Sequence, residues 1–107
     1  MRAARILDGK PVISEKVFQE QVRKAALLNG YLYYHTFNAY HSPEGFPDCV
    51  LVHPKKKRVI FCELKSEVGK LTPKQAEWIS ALETAESLEV FVLKPSDFDF
   101  FWEVLKR

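Results

Sequence analysis

The sequence predicts a small α/β domain with a mixed central β-sheet flanked by helices. Three observations carry this. Apolar runs at 45–52 and 59–66, rich in Val, Ile and Phe, are separated only by the polar link Pro54-Lys55-Lys56-Lys57 and read as an antiparallel hairpin. A capped helix precedes that hairpin and another follows it. A last strand follows the second helix, so the strand–helix–strand unit beyond Lys65 should be a parallel, right-handed crossover if its strands are neighbours. At 107 residues the chain is expected to be one domain throughout.

Residues 1–13 carry Arg2, Arg5, Gly9 and Pro11 with little periodicity and read as an arm with room for a short strand. Ser14 is a good N-cap, and Glu15 in the first turn suits the helix dipole. That helix should stop at Asn29-Gly30, with Phe18, Val22 and Ala25 or Ala26 facing inward. Glu15 falls on the inward stripe, whereas Glu20 points away. The aromatic and β-branched run Tyr31–Phe37 reads as a strand, and 38–45 as a loop. His35 and His41 are candidate substrate contacts, and the three histidines lack zinc-ligand spacing.

Gly69 breaks the chain before Thr72-Pro73-Lys74-Gln75, which combines an N-cap, Pro at the first helical position and a capping-box Gln. Gln75, Ile79 and Leu82 form the inward stripe of this helix, and Trp78 is expected in the core with Ile79. Leu88–Leu93 is the last strand, ended by Pro95. Ser96 is a candidate cap for a final helix whose core stripe is Phe98, Phe101, Trp102 and Leu105, with Phe100 and Val104 off it.

The formal charge is only +2 and the pI about 8.5, weak support for nucleic acid by itself. The distribution says more: Lys55, Lys56, Lys57 and Arg58 form a block, and Lys65, Lys70 and Lys74 follow the second hairpin strand. The block reads equally as a DNA-binding patch and as a solvated turn. Cys49 and Cys62 each adjoin an acidic residue and are expected as buried free thiols, neighbours across the hairpin. No run approaches transmembrane length and no signal-peptide core is present, so a cytoplasmic location is the default, or host cytoplasm if the gene is a phage's.

The hairpin holds the chemistry. If His53 pairs with Arg58, Asp48 lies opposite Glu63, and Lys65 shares their face. Two carboxylates and an ammonium then meet on an otherwise apolar strand face, a costly arrangement that a divalent cation would relieve.

Pro-Asp, fourteen residues and Glu-x-Lys resemble the PD-(D/E)XK nuclease signature. Gly-Phe-Pro-Asp, Phe-Cys-Glu-Leu-Lys-Ser-Glu, Gly-Lys-Leu-Thr-Pro-Lys-Gln and Val-Leu-Lys-Pro-Ser-Asp together, from about Ser14 to Asp97, resemble the VRR-NUC family of that superfamily. The resemblance implies a restriction-endonuclease-like core and metal-dependent hydrolysis of DNA phosphodiesters, with branched DNA or four-way junctions as substrates. It implies Mg²⁺ or Mn²⁺ held by Asp48, Glu63 and the Leu64 carbonyl, with Lys65 acting on the attacking water or the charge at phosphorus. Glu15 would add a carboxylate for a second cation or a water. Gln75 would lie near the metal or the scissile phosphate, unless it is only a cap. The expected DNA contacts are Lys55, Lys56, Lys57, Arg58, Lys70 and His41. Two other classes stay open: a non-catalytic nucleic-acid-binding module of this fold, and a metal-dependent phosphoryl hydrolase of small molecules. The aromatic surplus of the C-terminal helix and of Tyr31, Tyr33 and Tyr34 predicts an exposed apolar patch and a homodimer.

Overall fold

The computed structural model describes residues 5–7, 10–37 and 41–107. Strands β1 (Arg5–Leu7) and β2 (Lys10–Val12) pair antiparallel, giving the expected arm a small hairpin of its own. Helix α1 (Glu15–Leu28) starts where expected: the Ser14 hydroxyl accepts the Val17 N–H at 3.2 Å. It stops at Asn29, whose side chain donates to the Ala25 carbonyl, and Gly30 leaves in the left-handed region at φ 85°.

The main sheet has the order β3-β4-β5-β6, formed by β3 (Leu32–His35), β4 (Cys49–His53), β5 (Arg58–Leu64) and β6 (Glu89–Leu93). The first two pairings are antiparallel and the last is parallel, so the sheet is mixed as expected. Helix α2 (Pro73–Glu83) forms the crossover, and α3 (Phe98–Lys106) ends the chain. The strands are shorter than the apolar runs that announced them. Residues 45–48 are not strand, because Gly45 sits at φ 94° and Pro47 has no N–H to donate.

His53 pairs with Arg58, and the ladder continues to Cys49 opposite Cys62. One face of the sheet therefore presents Cys49, Leu51, Ile60, Cys62, Leu64 and Leu93, all buried. Phe18, Val22, Ala25 and Ala26 of α1 and Phe101, Val104 and Leu105 of α3 join them in one core. Both cysteines are free thiols in that core. The other face presents Leu32, Tyr34, Val50, Val52, Phe61 and Val92 and is only partly covered, at the end where α2 lies.

Two details depart from expectation near the C-terminus. Ser96 does not cap α3; its N–H and hydroxyl bond to the Glu67 carboxylate, and a short 3₁₀ turn at Pro95–Asp97 leads into the helix. Val104 lies in the core rather than outside it, because it follows Phe101 by three residues and shares the buried side of α3 with Phe101 and Leu105. Among the described residues no helix is long and apolar enough to cross a membrane.

Arg58 is held by the fold. Its guanidinium forks onto the Glu89 carboxylate and donates to Tyr31 Oη at 2.9 Å and to the Val104 carbonyl at 2.8 Å. It thus ties β5 to β6, to the start of β3 and to the C-terminal end of α3. Arg58, also expected at the DNA, thus has a mostly buried side chain whose guanidinium is engaged within the fold. Arg58→Ala should cost about 2–3 kcal/mol, since it strips charged hydrogen bonds but leaves a partly solvated Glu89. Urea unfolding measures this; unchanged stability with weakened DNA binding would return Arg58 to the interface.

Candidate active site

The Asp48 carbonyl accepts the Thr36 N–H at 2.8 Å, so the sheet pattern continues one step past β4 and sets Thr36, Asp48, Glu63 and Val92 in one row. Asp48 Oδ2 accepts the Leu64 N–H at 2.7 Å, which fixes its carboxylate over the end of β5. Glu63 is 1% exposed, and its Oε2 is buried without a hydrogen-bond partner. Lys65 follows on the same side, its N–H held by the Leu93 carbonyl at 2.8 Å. Glu15, from the first turn of α1, reaches this strand end and accepts the Ser66 N–H at 3.3 Å.

The electrostatics are those of a site short of positive charge. Burial, then closeness to Asp48, pushes the Glu63 carboxyl up to about 9; Lys65 opposes this and Glu15 adds to it. A carboxylate buried with an oxygen unbonded is costly, and a cation seated between it and Asp48 removes the cost. Oxygen donors select a hard divalent ion. The described residues bring together no group of three or more His, Cys, Asp or Glu that could hold a metal. The fit therefore rests on the Asp48–Glu63 pair, with the Leu64 carbonyl at the same strand end and Glu15 at the margin.

The other expected residues divide. Gln75 completes the capping box, its Oε1 accepting the Thr72 N–H at 2.9 Å, and it also borders a cavity that reaches Asp48. Cap and site are thus compatible in one side chain. Trp78 is not core: it is half-buried, donates to the Glu44 carbonyl at 3.1 Å and lines the same cavity. Lys55, Lys56 and Lys57 form the turn at the opposite end of the hairpin, roughly 17 Å along β4 from Asp48. Lys56 Nζ there donates to the Lys106 carbonyl at 3.1 Å. Lys70 is exposed in the loop before α2, and His41 is exposed upstream of Asp48. His35 falls on the helix-covered face by register, not beside Asp48. Thr36, Phe37, Phe46 and Trp78, which wall the cavity at Asp48, carried no signal of their own in the sequence, because aromatic and β-branched residues read as core.

Gly45 makes this arrangement possible. A Cβ there would lie 2.5 Å from the Lys74 backbone, so only glycine lets the loop before Asp48 rest on the start of α2.

The VRR-NUC domain profile matches residues 14–96. The chain belongs to the VRR-NUC family. No curated protein and no solved structure matches it. VRR-NUC domains are nuclease-type domains of restriction-endonuclease-like fold that act on DNA and generally use divalent metals. Family, fold and the Asp48–Glu63 row thus meet on one strand end of this VRR-NUC domain.

The raised Glu63 carboxyl has a consequence for stability. Unfolded, the group loses its proton near 4.5; folded without metal, it keeps the proton to about 9. Between those values the folded state binds more protons, so stability is full at the acid end and is lost as pH rises. The melting temperature of chelator-treated protein should therefore fall between about pH 5 and about 9, and Glu63→Gln should flatten that slope. An identical slope in the variant would show that Glu63 is not the group responsible.

Proposed function

We propose that this VRR-NUC domain, the whole chain acting as one unit on DNA in the cytoplasm, is a Mg²⁺- or Mn²⁺-dependent deoxyribonuclease that cleaves branched DNA, four-way junctions included. One observation carries the reading: a buried Glu63 oxygen without a partner, facing the fixed carboxylate of Asp48. Asp48 and Glu63, with the Leu64 carbonyl, would hold the cation. When bound, it would polarise the phosphodiester and make a nearby water easier to deprotonate.

The chain's own groups do the remainder. Lys65 orients the attacking water and meets the negative charge that grows on the phosphoryl oxygens; among the described residues its ammonium makes no ion pair. Glu15 orients a water or supports a second cation at the edge of the centre. Gln75 keeps its NH₂ group for the DNA beside the scissile phosphate, since its oxygen is used in the cap. Lys55, Lys56, Lys57, Lys70 and His41 position the DNA backbone away from the cleavage point.

A homodimer is part of the proposal. Of the expected apolar surplus, Val104 and Tyr31 are core, whereas Tyr34 and Phe100 are 63% and 54% exposed. Leu32 on the edge strand β3 and Leu28 at the end of α1 are 65% and 77% exposed as well, and Phe100 stays exposed on α3. An apolar patch beside a sheet edge supports pairing with a second copy. Two copies would bring two centres to the two strands of a junction.

Three experiments test this. Asp48→Asn and Glu63→Gln should each abolish Mg²⁺-dependent cleavage of linear, single-stranded and branched DNA while leaving the fold intact; wild-type rates in either would refute the site. Lys65→Ala should lower turnover about a hundredfold or more with little change in DNA affinity, as expected of a group acting in the transition state. Replacing Lys55–Lys57 should do the reverse and flatten the salt dependence of binding. Equal losses of binding and turnover in both would sink this division. Light scattering at micromolar protein, free and with a four-way junction, should give the mass of two chains; a monomeric mass in both removes the dimer.

A further inference from the structure

Beside Asp48 lies a cavity of about 620 Å³, within the ~300–1,000 Å³ range of small-ligand sites. Its walls are unlike those of a phosphate site. Tyr34, Phe37, Phe46 and Trp78 supply four aromatic rings, and the carboxylates on the lining are Glu44 and Asp48. A phosphate would meet like charge there; a neutral, planar, aromatic group would not.

The rings are arranged for use. Phe46 is wedged edge-to-face between Trp78 (centroids 5.1 Å, 79°) and Phe61 (5.9 Å, 80°), and Trp78 is bonded to the Glu44 carbonyl, so the inner wall is held in place. The outer rings, Tyr34 and Phe37, are 63% and 80% exposed, more than a large aromatic residue needs to be. The Thr36 hydroxyl, on the Asp48 row and bordering the cavity, is buried with no hydrogen-bond partner, and Gln75 has an NH₂ group not used by its cap. Flat apolar walls with one or two polar atoms still to be bonded match a nucleobase, which stacks by its faces and bonds by its edge.

We propose that this cavity takes an unpaired nucleobase of the DNA next to the phosphate bound by the cation that Asp48 and Glu63 would hold. A base inside a duplex is stacked and cannot enter, so the cavity makes cleavage selective for phosphates flanked by an unpaired nucleotide, as at a fork, flap or open branch point. The proposal deepens the nuclease reading and rests on it, yet binding can be tested apart from catalysis.

The test uses the full chain with Ca²⁺ in place of Mg²⁺, an oxygen-seeking cation that would neutralise Asp48 and Glu63, and forked DNA carrying 5-iodo-2′-deoxyuridine at the unpaired position, irradiated and mapped by mass spectrometry. Crosslinks should fall on Tyr34, Phe37, Phe46 or Trp78. Crosslinks confined to other surfaces, or none, would overturn the proposal. Phe37→Ala, an exposed change that leaves the core alone, should weaken binding of the fork about fivefold to a hundredfold, the loss of one stacking partner. It should leave binding of the same fork with an abasic unpaired position unchanged; equal loss on both forks would also overturn the proposal. Mg²⁺-dependent cleavage of the same fork separates the two readings. Cleavage without crosslinks in the cavity retires the base site and keeps the nuclease. Crosslinks there without cleavage keep the base site and retire the nuclease.

Discussion

The site depends on the register of one hairpin. Asp48 and Glu63 meet because His53 pairs with Arg58 five residues away, and a slip of one residue would turn one strand's side chains to the other face. The register is fixed at the turn. The Lys56 N–H is donated to His53 Nδ1 at 3.1 Å, Lys57 takes the left-handed region at φ 53°, and Arg58 is bonded to three other elements. A cluster of polar bonds at one end of β4 and β5 thereby sets the alignment of two carboxylates at the other. Those carboxylates need that constraint, because a buried, unpaired Glu63 oxygen gives the fold no stability of its own. The core on the opposite face, built from α1 and α3, has to support it.

Much of this was legible in the sequence, and the reasons are local. A four-residue polar link between two apolar runs leaves few registers, so the Asp48–Glu63 pairing follows from the spacing of the residues along the chain. Ser14, Thr72 and Gln75 sit at caps because short-range hydrogen bonding fixes their place. What was not legible depends on partners distant in the chain. Arg58 reads as one of four basic residues at a turn, and nothing nearby marks it as the partner of Glu89, 31 residues on. Ser96 reads as a cap until Glu67 takes both its N–H and its hydroxyl. Trp78 reads as core because its helix stripe is apolar, and only the Glu44 carbonyl and the approach of Gly45 to α2 show that it walls a cavity.

The two faces of the sheet explain why aromatic residues misled most. On the covered face, α1 and α3 enclose Leu51, Ile60 and Cys62, and apolar residues there mean core. The row Tyr34, Val50, Phe61, Val90 on the other face has the same composition, yet Tyr34 is exposed and the rest are half-buried. Periodicity tells which residues share a face, but not whether a helix comes to cover it. Here α2 is short and starts against Gly45, so it shields the end near Phe46 and Trp78 and leaves the remainder open.

That incomplete cover also bears on how a domain with a formal charge of only +2 could act on DNA. Long-range attraction is weak at that charge, and the acidic centre would repel phosphate until a cation neutralises Asp48 and Glu63. Nucleic acid offers a second handle, the apolar faces of its bases, reachable only where pairing has been lost. An open aromatic wall next to a carboxylate pair draws on that handle and on the cation together. On the proposed reading, stacking at unpaired positions would add to the backbone contacts of Lys55, Lys56 and Lys57, and an intact double helix would offer only the latter.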